Sequence, residues 1–359
     1  MSRVQVRSIG WNARIWLLGA GLVAGWGEVA IAAQDAGIPT LHVYETLIQI
    51  PVLVLDPLGA PLEPIDPRRF AISIDSGPRF RPTYVRLEGD DPISLSILLD
   101  ARGPEDDLLP KIDAAIAGLA PLSLQARDHV SVYALDCTLI ETLNDAPAEQ
   151  ERLRRAVDLA LRSWTYRRQN KHRSDCNPTW HLSDALTFVM DGLHRLPGRP
   201  GQRVMLAITD GNDKGSKYSW NDVRTYATAT GVAVFGMVYV PHSSSPYRST
   251  SYEDAFKSVC ELSGGMIFPS NGRDVAETLQ RFTKTVRERY IVEFPRPFNS
   301  TAGGHPILVT IDKLDAFIRP AGITVPMADP AVLADPTTVP ADPSRAPVAG
   351  IRQGLINPQ

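Results

Sequence analysis

Apolar residues are distributed in two different ways along this chain. Between residues 93 and 289, unbroken apolar runs alternate with stretches whose apolar positions recur every three or four residues. The runs Ser94–Asp100, His129–Leu135, Val204–Ile208 and Val232–Val240 show no polar alternation, which suits strands buried on both faces of a parallel sheet. Leu139–Leu143 and Met266–Phe268 add two short strands. The helical spacing predicts helices over Glu105–Leu119, Ala148–Leu161, His181–Leu193, Asn221–Thr230, Tyr252–Leu262 and Asp274–Arg289. The first of these begins with acidic residues, which the helix dipole favours, and carries Pro110 early enough to be tolerated. Gly231 stops the fourth. Ser163–Pro178 is predicted as a polar loop, and His242–Ser251 as a loop bearing Ser, Tyr and Pro. Strands alternating with helices specify a doubly wound, mostly parallel α/β sheet with right-handed crossovers.

The flanks read differently. His42–Val54, Arg69–Asp75 and Thr83–Leu87 precede the α/β region, and Tyr290–Phe294, His305–Ile311 and Ala316–Arg319 follow it. All are short strand-like segments separated by turns rich in Asp, Pro and Gly. They predict a small β-sandwich built from both flanks, residues 42–91 and 290–325, into which an α/β domain of residues 93–289 is inserted. Residues 327–359 are Ala-, Pro- and Asp-rich with little to bury, so a disordered tail is expected.

The N-terminus adds an address. Arg3, Arg7 and Arg14 precede an apolar run from Ile15 to Ala33 that closes on Ala30-Ile31-Ala32. That order of charged, apolar and small-residue segments is the pattern of a cleaved export signal over residues 1–33. A membrane anchor is the alternative, but Gly19, Gly21, Gly25, Gly27 and Glu28 dilute the run. The expected location is periplasmic or extracellular, with no membrane span after cleavage. Export permits disulfides, and of the three cysteines Cys137 and Cys176 should meet at one sheet edge, either as a disulfide that tethers the long loop or as two free thiols, with Cys260 buried on a helix. The chain's 43% hydrophobic and 21% charged residues are ordinary, and a net charge of −3 selects no partner.

Two strands end in carboxylates: Ser94-Leu-Ser-Ile-Leu-Leu-Asp100 and Arg203-Val-Met-Leu-Ala-Ile-Thr-Asp210-Gly-Asn-Asp213. Open α/β sheets place their ligands at the carboxyl ends of their strands. The succession Leu98-Leu-Asp100, Asp128-His-Val-Ser-Val, Leu182-Ser-Asp-Ala-Leu186 and Ala207-Ile-Thr-Asp210-Gly-Asn-Asp213 resembles a von Willebrand factor A domain. The flanking segments Val52–Leu62 and Glu288–Phe294 are similar to those of the bacterial exported variety called VWFA-related. The resemblance covers residues 42–325.

In that family an Asp-x-Ser-x-Ser strand end, a threonine and a later aspartate form a metal-ion-dependent adhesion site. The resemblance therefore implies Mg²⁺ or another divalent cation held by oxygen ligands, with a partner's carboxylate completing the shell. Asp100 and Asp210 match the two aspartates. Arg102 and Pro104 stand where the serines belong, and Trp180 stands where the threonine belongs, beside Thr179. Three of five ligand positions are lost, so a degenerate site with no bound cofactor is expected: either Arg102 fills the metal's place and bridges Asp100 and Asp210, or Arg102 points to solvent and the aspartates bond turn backbone amides.

The expected function is a non-catalytic protein-binding or adhesion-type module whose ligand face holds Asp100, Arg102, Thr179, Trp180, Asp210 and Asp213. Its partner is a protein or surface polymer, and nucleic acid is not expected. Eight Lys and Arg residues between Arg152 and Arg173, with Trp164 and Tyr166 among them, read either as a contact surface or as a solvated helix face. The alternative function is a metal-dependent phosphatase-like hydrolase with Asp100 as nucleophile. Against it, the position of the general acid is Arg102, which has no proton to give.

Overall fold

A computed structural model describes residues 42–44, 47–62, 64–102, 108–170, 179–196, 202–239, 251–270, 272–325, 330–340, 342, 344 and 346–350. The proposed signal segment lies outside them. Among the described residues no helix is long and apolar enough to cross a membrane.

The first flank contributes β1 (His42–Tyr44), β2 (Leu47–Leu55), β3 (Phe70–Ile74) and β4 (Tyr84–Leu87). Then come β5 (Ser94–Asp100), α1 (Leu109–Leu122), β6 (His129–Leu135), β7 (Leu139–Pro147), α2 (Gln150–Asn170), α3 (Leu182–Arg195) and β8 (Arg203–Thr209). The α/β region closes with α4 (Trp220–Thr230), β9 (Ala233–Tyr239), α5 (Ser251–Leu262), β10 (Ile267–Ser270) and α6 (Val275–Arg287). The return flank holds β11 (Tyr290–Pro295), β12 (Gly303–His305), β13 (Ile307–Ile311), β14 (Phe317–Pro320) and β15 (Ile323–Val325), followed by α7 (Pro330–Ala334) and β16 (Thr338–Pro340).

The doubly wound sheet expected from the alternation is present. Its order is β10-β9-β8-β5-β6-β7, parallel throughout except for β7, which pairs antiparallel with β6. Alternate residues of β5 point to opposite faces: Leu95, Ile97 and Leu99 join the core under α1, α2 and α6, whereas Leu98 joins the core under α3, α4 and α5. The two flanks interleave in the second unit. β2 of the first lies between β14 and β11 of the return, and β3 pairs with β13, all antiparallel. Ile50, Val52, Phe70, Ile72, Tyr290, Val292 and Phe294 share its core.

Three elements depart from the expected ones. The helix expected to end at Leu161 runs on as α2 to Asn170, through the start of the expected polar loop. Its extension has an apolar anchor, because Trp164 continues the three-and-four spacing of Ala156, Val157, Ala160 and Leu161 and packs against the same core. The strand expected to end at Leu143 runs on as β7 to Pro147, which the helix was expected to begin with. Proline is tolerated there because β7 is the edge of the sheet, where one row of donors has no ladder to serve.

The third departure is the tail expected to be disordered over residues 327–359, parts of which are folded. β16 pairs parallel with β1, and Ala349 is buried in the sandwich core. Gly350 N–H donates to Ile74 O at 2.9 Å, and the Asn299 side chain brackets Ala349 through hydrogen bonds of 2.7 and 2.8 Å. Backbone pairing rather than apolar content holds this segment. Glycine is required at Gly350, where a Cβ would meet Asp75 O at 2.0 Å.

Candidate functional site

β5, β6 and β8 each deliver an aspartate to the carboxyl edge of the sheet: Asp100, Asp136 and Asp210. Each meets a different fate. Asp100 is 2% exposed, and Arg102 grips it with a bidentate fork, Nε to Oδ1 and Nη2 to Oδ2, both 2.8 Å. Thr209 Oγ1 donates to Asp100 Oδ2 at 2.8 Å, and the Arg102 N–H lies 3.3 Å from Oδ1. Both oxygens of the first aspartate are therefore engaged by its own chain. Burial alone would lower the Arg102 pKa, but hydrogen bonding to and the charge of Asp100, aided by Asp210 and Asp213, raise it above its usual value. The guanidinium is a permanent cation there.

Asp136 is paired in the same manner. Arg167, near the end of α2, bonds Asp136 Oδ2 through Nη1, and that same nitrogen lies 3.5 Å from Cys137 Sγ. The extension of α2 beyond Leu161 is what brings Arg167 to the edge. Cys137 is disulfide-bonded and Cys260 is free and buried; Cys176, the expected partner of Cys137, lies outside the described residues. No signal separated Arg167 from the other basic residues of its stretch except its place one helical turn past Trp164. Nearer the start of α2, Arg152, Arg154 and Arg155 pair with Glu149 and Glu151 on an exposed face, as a solvated helix would.

Asp210 has no guanidinium fork. Its Oδ1 accepts from Asn212 N–H at 2.8 Å, and Arg102 reaches the loop through Asn212 O, with Nη2 at 3.4 Å. The expected bridge between the two aspartates is thus a fork on Asp100 with a contact to the Asp210 loop backbone. Arg102 cannot saturate both carboxylates, because its Nε and one Nη are committed to the nearer one. Burial, then repulsion from Asp100, pushes the Asp210 carboxyl above its ordinary pKa against the pull of Asn212 N–H and Arg102.

Asp213 has a structural task. Its Oδ1 accepts from the first backbone N–H of α3, Leu182 N, at 3.0 Å, and Oδ2 accepts from Ser183 Oγ at 2.8 Å. α3 has no side-chain cap of its own, so this distant aspartate satisfies its terminal donors. In return Asp184 on α3 accepts from Lys217 and Tyr218 N–H. Gly215, at φ +94°, lies against His181, where a Cβ would come within 2.9 Å of the ring. Thr179 is exposed, and its N–H and Oγ1 both donate to Cys137 O. Trp180 is half-buried on the α3 core, edge-on to Phe188 with ring centroids 5.4 Å apart.

The parallel sheet with one antiparallel edge strand, helices on both faces and aspartates at the ends of β5 and β8 decides the fold. The α/β unit is a doubly wound, mostly parallel sheet. No family model matches the chain, and no curated protein matches it. Among solved structures, this chain is similar to an aerotolerance-related membrane protein of Bacteroides fragilis, at 12% identity over 54% of this chain and 98% of that one, TM-score 0.36. It is also similar to the manganese-loaded TRAP protein of Plasmodium vivax, at 14% identity over 68% and 98% of the two chains, TM-score 0.36. The VWA domain of SpRpn10 aligns at 9% identity over 53% and 94%, TM-score 0.35.

The residues at this edge do not fit the cation that the sequence resemblance implies. A hard cation needs several free oxygen donors around one point. Here a guanidinium occupies the two oxygens of Asp100, and the serine positions of the motif are Arg102 and Pro104, which carry no hydroxyl. Among the described residues no group of three or more His, Cys, Asp or Glu side chains could hold a metal ion.

Proposed function

We propose that the chain is an exported, non-catalytic protein-binding module that engages its partner through the carboxyl edge of the α/β sheet without a metal bridge. The observation that carries this reading is the Arg102 fork on Asp100. The charge neutralisation that a cation would supply to Asp100 is built into the chain. The loop after β8 exposes Asn212, Lys217 and Tyr218, and Trp180 is half-buried ahead of α3; interfacial hot spots are enriched in Trp, Tyr and Arg. The export signal pattern and the disulfide at Cys137 support an oxidising compartment.

The phosphatase-like reading has little support. A nucleophilic Asp100 would have to present an oxygen to a phosphoryl group, and both of its oxygens accept hydrogen bonds in a site that is 2% exposed. Calorimetric titration with Mg²⁺ and Mn²⁺ should show no stoichiometric uptake by the wild type and measurable uptake by Arg102→Ser. Envelope proteins captured on the immobilised chain should stay bound in chelator and be lost from a folded Trp180→Ala variant. Tight one-to-one cation binding, or release of the partner by chelator, would overturn the reading.

A further inference from the structure

On the face of the sheet opposite α1 and α2, the packing between strands and helix is interrupted. Ser96 of β5 and Ser131 of β6 are register neighbours, and both are buried beneath α3, 1% and 4% exposed. Their chain neighbours Leu95, Ile97, Val130 and Val132 fill the other face with apolar side chains. Above the serines, α3 places Gly192, whose missing Cβ would stand 3.4 Å from the Tyr133 hydroxyl. Small residues on both floor and roof leave a cavity of about 250 Å³ that opens between α3 and β7. Filling it would have required only larger apolar residues at three positions, as cores ordinarily do.

The chemistry of the walls is specific. Tyr133 OH donates to Glu141 Oε1 at 2.8 Å; burial and that carboxylate push the phenol pKa up, so the group stays protonated. Ser131 Oγ accepts from Asp145 N–H at 2.9 Å and also bonds the Tyr133 phenol, so the hydroxyls stand close together on one wall. At the mouth Asp191 pairs with Arg195 at 2.6 Å, Asn144 adds an amide, and Phe188 is 49% exposed. Two carboxylates against one guanidinium make the opening net acidic. Closely spaced hydroxyls, an amide and a carboxylate match a ligand that both donates and accepts through several hydroxyls, and an aromatic face at the rim suits the C–H side of a ring. The volume lies below that of pockets for drug-sized ligands, which limits the occupant to one ring.

We propose that this cavity binds a single hexose-sized sugar ring bearing no negative charge, either free or as the terminal residue of a surface polymer. The cavity lies on the sheet face beneath α3, away from Asp100 and Arg102, and adjoins the proposed binding surface where Phe188 touches Trp180, so an Arg102 variant tests the two readings apart. The test is saturation-transfer NMR and calorimetric titration of the full chain with glucose, glucosamine and glucuronate. Glucose and glucosamine should bind saturably, one per chain, with Kd on the order of 1 mM as expected for a dozen heavy atoms, and glucuronate at least fivefold more weakly. Gly192→Leu, which fills the cavity, should abolish binding. Should that variant misfold, Phe188→Ala at the exposed rim should weaken binding at least fivefold with an unchanged circular dichroism spectrum. Arg102→Ala should leave sugar binding within twofold of the wild type. Absence of saturable binding to all three sugars means a merely hydrated void and overturns the proposal. So does binding that survives in folded Gly192→Leu, or glucuronate binding tightest.

Discussion

At the scale of single residues, the candidate edge is a problem in placing negative charge. Asp100, Asp136 and Asp210 converge where the sheet ends, and two of them carry their own arginine. Asp210 does not, and burial raises its pKa from the ordinary 3.8. A carboxyl whose native pKa exceeds its unfolded value binds more protons folded than unfolded between the two values, so stability falls as pH rises through that window. The penalty is complete above the native pKa and absent below about pH 3.8. Asp210→Asn keeps an oxygen for Asn212 N–H and removes the charge. It should be more stable than the wild type at pH 7 and equal to it near pH 3, as read by urea unfolding at both values. A destabilised Asp210→Asn at pH 7 would mean that the charge is needed.

At the scale of elements, what could be read in advance depended on whether the cause was local. Apolar runs ending in Asp100 and Asp210 marked the strands of a buried sheet because burial on both faces forbids polar alternation. The helix stop at Gly231 was legible for the same reason, since a left-handed residue at φ +66° follows from glycine alone. The end of α2 was not, because polar residues from Ser163 to Asn170 look like a loop until Asp136 is known to lie opposite Arg167. Likewise, only the folded chain shows that Asp213 caps α3, 31 residues earlier in sequence. Arg167→Met tests the coupling of α2 to the edge. It leaves Asp136, 5% exposed, without its counter-charge, and removing one partner of a buried pair costs about 3–5 kcal/mol. Arg167 keeps some solvent access, so the lower part of that range is expected, together with faster hydrogen exchange confined to the last two turns of α2.

At the scale of the whole molecule, the question is how a sheet domain inserted in a sandwich is held to it. The chain crosses between the units twice, at residues 88–93 and 287–290, and both crossings are locked to each other. Glu88 and Arg289 form a fully buried bidentate pair with contacts of 2.7 and 2.8 Å, and the backbones pair through Glu88 N–H to Arg289 O and Gly89 N–H to Arg287 O. Arg287 adds bonds to Asp128 Oδ2 and Asp91 O, and Gln202 reaches Asp91 at 2.8 Å. The Arg289 guanidinium also lies 5.9 Å from the Phe235 ring centroid in the sheet core. Burial pushes the Glu88 carboxyl above its ordinary pKa against the pull of Arg289, and taking two charges out of water offsets much of what a buried pair returns. Arg289 Nη1 is also buried without a partner. By this reasoning the pair fixes the relative placement of the two units rather than stabilising them. Glu88→Leu alone should cost about 3–5 kcal/mol, because it strands a buried guanidinium, whereas Glu88→Leu with Arg289→Met should be neutral or gain about 1–4 kcal/mol. Denaturant unfolding followed separately by Trp fluorescence and circular dichroism distinguishes the outcomes. If placement is the role of the pair, the double variant keeps its stability but its two probes cease to coincide, as the sheet and the sandwich begin to unfold apart.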